Sequence, residues 1–137
     1  MAGETDLARL IAGMDPAMAP GVFVFATLPP GTAEPSGLFP LMRFREAEGV
    51  TLILERRAAR AARLAAVFPC RMITLRVHSA LEAVGFLAAV AARLTDAGIG
   101  ANPVAGFFHD HLFVAEDRAE DALAALRAMA AEAGAGR

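Results

Sequence analysis

Two short stretches hold most of the side chains that could do chemistry, His78-Ser79-Ala80-Leu81-Glu82 and His109-Asp110-His111. In the second, two imidazoles stand at i and i+2. Residues so spaced on a strand share a face, so an H-x-H pair could begin a metal site. No cysteine or third carboxylate is spaced to complete the shell, and no metal is expected. Asp110 could instead pair with the ammonium or guanidinium group of a ligand. Against both stands a plain turn, in which aspartate tolerates the left-handed region and the histidines lie exposed. His78 reads as a strand-end surface residue. An encounter between His78 and Asp110 across the sheet would favour the ligand reading.

Ser79 and Glu82 fit the capping box S-x-x-E, in which both side chains satisfy N–H groups at a helix start. The same helix start would present its remaining N–H groups and positive dipole end to a ligand carboxylate. The two uses are compatible. Gly85 would permit close approach of a ligand or a strand. The single cysteine, Cys70, follows Pro69 at a strand start and reads as a small apolar filler rather than a nucleophile. Glu46 and Glu48 flank a turn and should be solvated. There is no glycine-rich phosphate loop, nucleophile elbow or pair of carboxylates in an apolar setting, so no enzyme and no cofactor is expected.

The elements that must position these residues follow from hydrophobic spacing. A short helix is expected over residues 5–13, capped by Thr5 or Asp6 and ended by Pro16 and Pro20. A strand at 21–27 is apolar on both faces and should be covered on both. Residues 29–38 read as a loop, the one obvious mobile segment. Strands at 39–46 and 50–55 are joined at Gly49. An Arg-Ala helix at 56–66 ends at Phe68-Pro69. A strand at 72–78 leads into a helix at 80–97, whose Leu81, Val84, Ala88, Ala91 and Leu94 should pack on the sheet. Phe86 falls near its polar stripe and is a candidate for exposure or an interface. The helix ends at Gly98. Pro103 confines the strand 101–107 to a sheet edge or bulge. A hairpin at His109-Asp110, a strand at 111–115 and a helix at 117–130 complete the chain, with Ala119, Ala122, Leu123, Leu126 and Met129 or Ala130 buried and the tail after it frayed.

Composition narrows the function. The chain has 137 residues, is 56% hydrophobic and carries a net charge of −2. Its basic residues are all arginine, and the densest group, Arg56, Arg57, Arg60 and Arg63, lies on a helix face without interleaved aromatics, which disfavours nucleic-acid binding. No apolar run reaches the roughly 18 residues needed to span a bilayer. The N-terminus lacks the features of a signal peptide, and a cytoplasmic location is expected. An internal repeat is visible: Gly49, Leu52, Glu55, Arg57 and Ala58 align with Asp110, Phe113, Glu116, Arg118 and Ala119. Each half then reads as α-β-β-α, which fits an α+β protein of two ferredoxin-like units.

The run L-E-A-V-G-F-L-A-A-V-A-A-R-L-T-D-A-G-I-G-A-N-P-V-A-G after a strand and a small loop resembles the ACT domain, a ligand-binding regulatory module. The segments E-G-V-T-L-I-L, V-H-S-A-L-E-A-V-G-F and H-D-H-L-F-V, in this order, resemble the small bacterial tandem-ACT proteins related to CASTOR-type and aspartokinase-like ACT domains. The resemblance implies two tandem βαββαβ units with antiparallel sheets and helices on one face, residues 1–69 and 70–137. It implies a small-molecule ligand, an amino acid above all, held at the interface of the units. Carried over by position, the candidates are Ser79, Ala80, Leu81, Val84, Gly85 and Phe86, with Asn102, Pro103 and Val104 from the facing strand and Asp110. It also implies a free-standing sensor. The open stripes and Phe86 suggest a homodimer, and the charge and hydropathy patterns point to no nucleic-acid or membrane partner. Two other readings remain open: a non-catalytic interaction module that regulates an enzyme in trans, and a small enzyme using His109 and Asp110 or His78.

Overall fold

The segment from Pro20 to Cys70 folds as one compact unit, and the flanking stretches, up to Ala19 and from Arg71 on, fold as another. The computed structural model describes residues 3–135. The central unit contains β2 (Phe23–Leu28), β3 (Met42–Glu46), β4 (Gly49–Glu55), α2 (Arg56–Ala61) and the first part of β5 (Ala65–Leu75), in the order β3-β4-β2-β5. β3 and β4 form a hairpin closed by the pair Glu46 and Gly49. Glycine is required there: φ is +145°, and a Cβ would lie 2.3 Å from the Leu28 carbonyl oxygen. β4 pairs antiparallel with β2 from Phe23–Glu55 to Leu28–Val50. Val24, Ala26 and Leu28 meet Leu52, Leu54 and Ala59 in a core. Phe23 and Ile53, which alternate with them, are buried too, but Phe25 is half-buried and Thr27 exposed, so the second face of β2 is covered only toward Phe23 and not along its length as expected.

The Arg-Ala helix is shorter than its composition predicts. It stops at Ala61, Arg63 takes φ +55°, and β5 begins at Ala65. Arginine and alanine favour helix locally, but Ala65, Ala66 and Val67 pair with Thr27, Ala26 and Phe25 and so satisfy the second edge of β2. The register shifts between Phe23 and Phe25, opposite Phe68 (φ +62°) and Pro69. A proline is tolerated at such an irregularity because the ladder there asks for no donor. Cys70 is fully buried, with its thiol 3.4 Å from the Phe23 carbonyl.

The flanking unit contains α1 (Leu7–Ala12), β1 (Pro16–Met18), the rest of β5, α3 (Phe86–Asp96), β6 (Asn102–Ala105), β7 (Asp110–Ala115) and α4 (Ala119–Ala135). Asp6 caps α1 by accepting the Arg9 N–H at 3.0 Å. β1, where two prolines suggest only a helix stop, pairs with β5 from Pro16–Leu75 to Met18–Ile73. On from β5 the sheet runs to β7 and then β6, so Pro103 lies on an edge strand as its missing N–H demands. The core joins Leu10 and Met14 to Ile73, Leu75, Val90, Leu94, Leu112, Val114 and Leu126. α4 buries Ala119, Ala122, Leu123 and Leu126, as the spacing requires.

Helix α3 departs from expectation at its start. Residues 80–85 are not helical, and Gly85, at φ +91°, is the N-cap. The buried stripe is therefore Phe86, Val90 and Leu94. Phe86 is only 3% exposed, whereas Leu81 and Val84 are 68% and 85% exposed. The expected stripe assumed a helical phase through residues that do not share it.

Candidate functional site

The loop from Arg76 to Gly85 is shaped by short-range backbone bonds: Val77 N–H to Leu75 C=O, Ser79 N–H to Val77 C=O, and Ala83 N–H to Ala80 C=O. The N-terminal segment runs beside it. The Glu4 N–H donates to the His78 carbonyl at 2.7 Å, and the Ala80 N–H donates to the Glu4 carbonyl at 3.0 Å. Ser79 is thus held by backbone on both sides. It does not cap α3. Its hydroxyl donates to Oδ2 of Asp110 at 3.0 Å, and both residues are buried.

The His-Asp-His stretch is a set of anchors rather than an exposed turn. The turn lies at residues 106–109, closed by the Gly106 N–H to His109 C=O bond, and Asp110 is the first residue of β7. His109 Nδ1 lies 3.3 Å from the Val77 carbonyl, and His111 Nδ1 lies 2.9 Å from Thr74 Oγ1. Burial pushes the His111 imidazole below its ordinary pKa; His109 adds to this and Asp110 opposes it. His78 does not meet Asp110 in any hydrogen bond but packs with Phe107 and Phe108. Among the described residues, no group of three His, Cys, Asp or Glu side chains is placed to hold a metal ion.

A cavity of about 150 Å³ opens between the loop, the first turn of α3 and the start of β7. Of the residues singled out from sequence, Ser79, Ala80, Leu81, Gly85, Phe86 and Asp110 line it. Val84 points away to solvent, and Asn102, Pro103 and Val104 are engaged in β6, opposite Phe113, Leu112 and His111. The residue of β6 that reaches the cavity is Ala105, paired with Asp110 at the end of the hairpin. Ala83, Leu87 and Ala88 line it as well and were not anticipated. The hairpin register would have pointed to Ala105, and a helix starting at Gly85 would have pointed to Leu87 and Ala88.

The chemistry of the cavity is two-sided. Gly85 provides no side-chain cap, and the first bond into α3 is the Ala89 N–H to Gly85 C=O. The N–H groups of Phe86, Leu87 and Ala88 therefore have no partner among the described residues, and these three residues line the cavity. A helix start of this kind favours an anion. Across from it lies Asp110, a buried carboxylate whose one hydrogen bond among the described residues comes from Ser79. A buried carboxylate costs several kcal/mol unless a cation or further donors offset it. The cavity thus offers an anion-seeking wall and a cation-seeking wall in a volume below the roughly 300 Å³ lower end of drug-sized pockets.

Two family models, both for the ACT domain, match residues 2–71 and 67–128. Among solved structures, a Vibrio cholerae protein of unknown function, considered a possible transport protein, shares 43% identity at a TM-score of 0.82 over 90% of this chain and 95% of that one. An Agrobacterium tumefaciens protein shares the fold at 20% identity and a TM-score of 0.70, over 84% and 87% of the two chains. The ligand-free regulatory subunit of aspartate kinase from Thermus thermophilus shares it at 10% identity and a TM-score of 0.63, over 83% and 95%. No curated protein matches the sequence.

Proposed function

The chain belongs to the ACT-domain family, and from that premise we propose that it is a sensor that binds a free amino acid in the cavity beside Asp110. ACT domains are in general regulatory, ligand-binding modules, and the Thermus relative by fold is a regulatory subunit. The observation that carries the reading is the pairing of opposite walls. The unpartnered N–H groups of α3 suit an α-carboxylate, and Asp110, oriented by Ser79, suits an α-ammonium. The small volume favours a small side chain, directed toward the exposed Leu81.

The test is a thermal-shift panel of the twenty amino acids at millimolar concentration, with each hit repeated as its N-acetyl and amide derivatives. At about 100 times Kd a ligand should add ~2.7 kcal/mol, worth several degrees for a domain of this size. Free amino acids should shift the melting point and the blocked derivatives should not. Equal shifts from both derivatives, or none from any amino acid, would remove the reading.

A second reading rests on a separate observation. Leu81, Val84, Phe107 and Phe108 are all more than half exposed in the same unit. Such side chains suit a docking surface, on an enzyme regulated in trans or on a second copy of the chain. The buried Phe86 cannot serve that purpose.

A further inference from the structure

Two backbone hydrogen bonds tie the residues before α1 to the loop that holds Ser79. Glu4 forms a parallel bridge with Ser79: its N–H donates to the His78 carbonyl at 2.7 Å, and its carbonyl accepts the Ala80 N–H at 3.0 Å. Gly3 lies closer still. A Cβ on it would stand 2.5 Å from the Ala80 nitrogen, 2.6 Å from the Ser79 carbonyl carbon and 2.7 Å from the His78 carbonyl oxygen. All three are backbone atoms, so only glycine lets the two segments approach this closely.

The Glu4 side chain turns the other way. Its Oε2 accepts the N–H of Thr5 at 3.0 Å and of Asp6 at 3.2 Å, and its Oε1 lies 3.8 Å from Nη1 of Arg9. The strap is thereby joined to the first turn of α1, which is anchored by the fully buried Leu10. Between the two ends, Gly3, Glu4, Thr5 and Asp6 carry no apolar side chain, and none of the four is buried. A segment with so few buried apolar contacts opens locally at low cost. On its far side the loop is gripped by β7 and the residue before it. His109 Nδ1 lies 3.3 Å from the Val77 carbonyl, and Asp110 accepts the Ser79 hydroxyl. Ser79 thus stands between a releasable strap and a fixed strand. Its backbone is set by the first and its hydroxyl is spent on the second.

We propose that Gly3 and Glu4 are positioning residues for the cavity at Asp110, and that the strap responds to its occupancy; this rests on the amino-acid reading above. With the strap seated, the Ser79 hydroxyl orients the Asp110 carboxylate toward an ammonium group. With the strap lifted, the His78 carbonyl and the Ala80 N–H lose their partners, Ser79 shifts, and the carboxylate loses its oriented donor. The coupling is reciprocal. An amino acid that binds the oriented carboxylate holds the strap down by the same factor by which the strap improves its affinity. The strap runs directly into α1, so occupancy is passed to the start of that helix.

The first readout needs no bound amino acid. In the full chain labelled with ¹³C and ¹⁵N, the Asp110 Cγ resonance reports the bond from Ser79, and Ser79→Ala gives the displacement caused by its loss. Gly3→Ala should move the resonance in the same direction. Glu4→Ala, which loosens the strap without a clash, should move it the same way but less. Gly100→Ala adds a Cβ in open space and should leave it in place. An unmoved resonance in both strap variants, or an equal movement in Gly100→Ala, overturns the positioning role.

The second readout repeats the panel of twenty amino acids on Gly3→Ala, with titration calorimetry on every amino acid that shifts the parent. Kd should rise roughly fivefold or more. In an Asp110→Asn background Gly3→Ala should add no further loss, and a fully additive loss would show a merely structural role and overturn the proposal. The Ala80 amide should exchange with solvent more slowly when such an amino acid is present; unchanged exchange overturns the strap's response. An inert parent would remove the amino-acid reading and the response with it, while the Asp110 resonance still decides the positioning.

Discussion

The Ser79 hydroxyl donates to Oδ2 of Asp110 across 3.0 Å, and this bond ties the loop before α3 to the first residue of β7. Ser79→Ala removes the one hydrogen bond that this buried carboxylate makes among the described residues and should cost ~1–3 kcal/mol in urea denaturation. Asp110→Asn keeps the shape and removes the charge. It should melt close to the parent protein yet weaken amino-acid binding by roughly tenfold or more in titration calorimetry. Parent-like affinity in that variant would exclude Asp110 as the ammonium partner.

Two glycines separate strain from space. At Gly49 a Cβ would lie 2.3 Å from a backbone oxygen, whereas at Gly85 the nearest atom is Leu7 Cδ2 at 3.6 Å. Gly85→Ala carries only the left-handed backbone penalty of ~1–2 kcal/mol. Gly49→Ala adds a steric clash and should exceed it by at least ~1 kcal/mol. Equal losses in chemical denaturation would contradict this account of the β3–β4 hairpin.

His111 links stability to pH. Its folded pKa lies below the ordinary 6.5, because burial opposes the imidazolium. The unfolded chain therefore binds the proton first as pH falls, and stability drops below about pH 6.5 until the folded state also protonates. Above that value the group contributes no slope. Urea midpoints at about pH 7 and about pH 5.5 should differ less in His111→Gln, which can keep a bond to Thr74 without titrating near neutrality. An unchanged difference would show that other groups set the slope.

Cys70 should be a silent thiol. It is fully buried, and desolvation raises its pKa to about 11. Thiolate is the reactive form, so alkylation at neutral pH should be slow in the folded protein and rapid in denaturant. Fast labelling of the native chain would contradict the packing around Phe23.

Most of the scaffold was legible because it repeats a local signal. The alternating strand at Phe23, the edge strand marked by Pro103 and the i, i+3, i+4 face of α4 each need only their own residues to be read. What failed depends on partners distant in sequence. Residues 65–67 are strand because β2 has an open edge, and β1 exists because β5 extends past Cys70. The loop beside the site misled more subtly. S-x-x-E has the composition of a helix cap, yet the helix starts only after Gly85, and the Ser79 hydroxyl instead donates to Asp110, brought to it by the fold. Six of the ten residues chosen there and in the facing strands line one cavity.

One consequence of the chain's path concerns time rather than space. The central unit is a single run ending at Cys70, but Leu10 and Met14 belong to a core completed by Leu123 and Leu126. On the ribosome the central unit has all its strands while α1 still waits for a helix not yet made. The apolar face of α1 is thus without its final cover until α4 has emerged. Contacts between residues so far apart close slowly, so the burial of α1 follows, rather than precedes, the completion of the central unit.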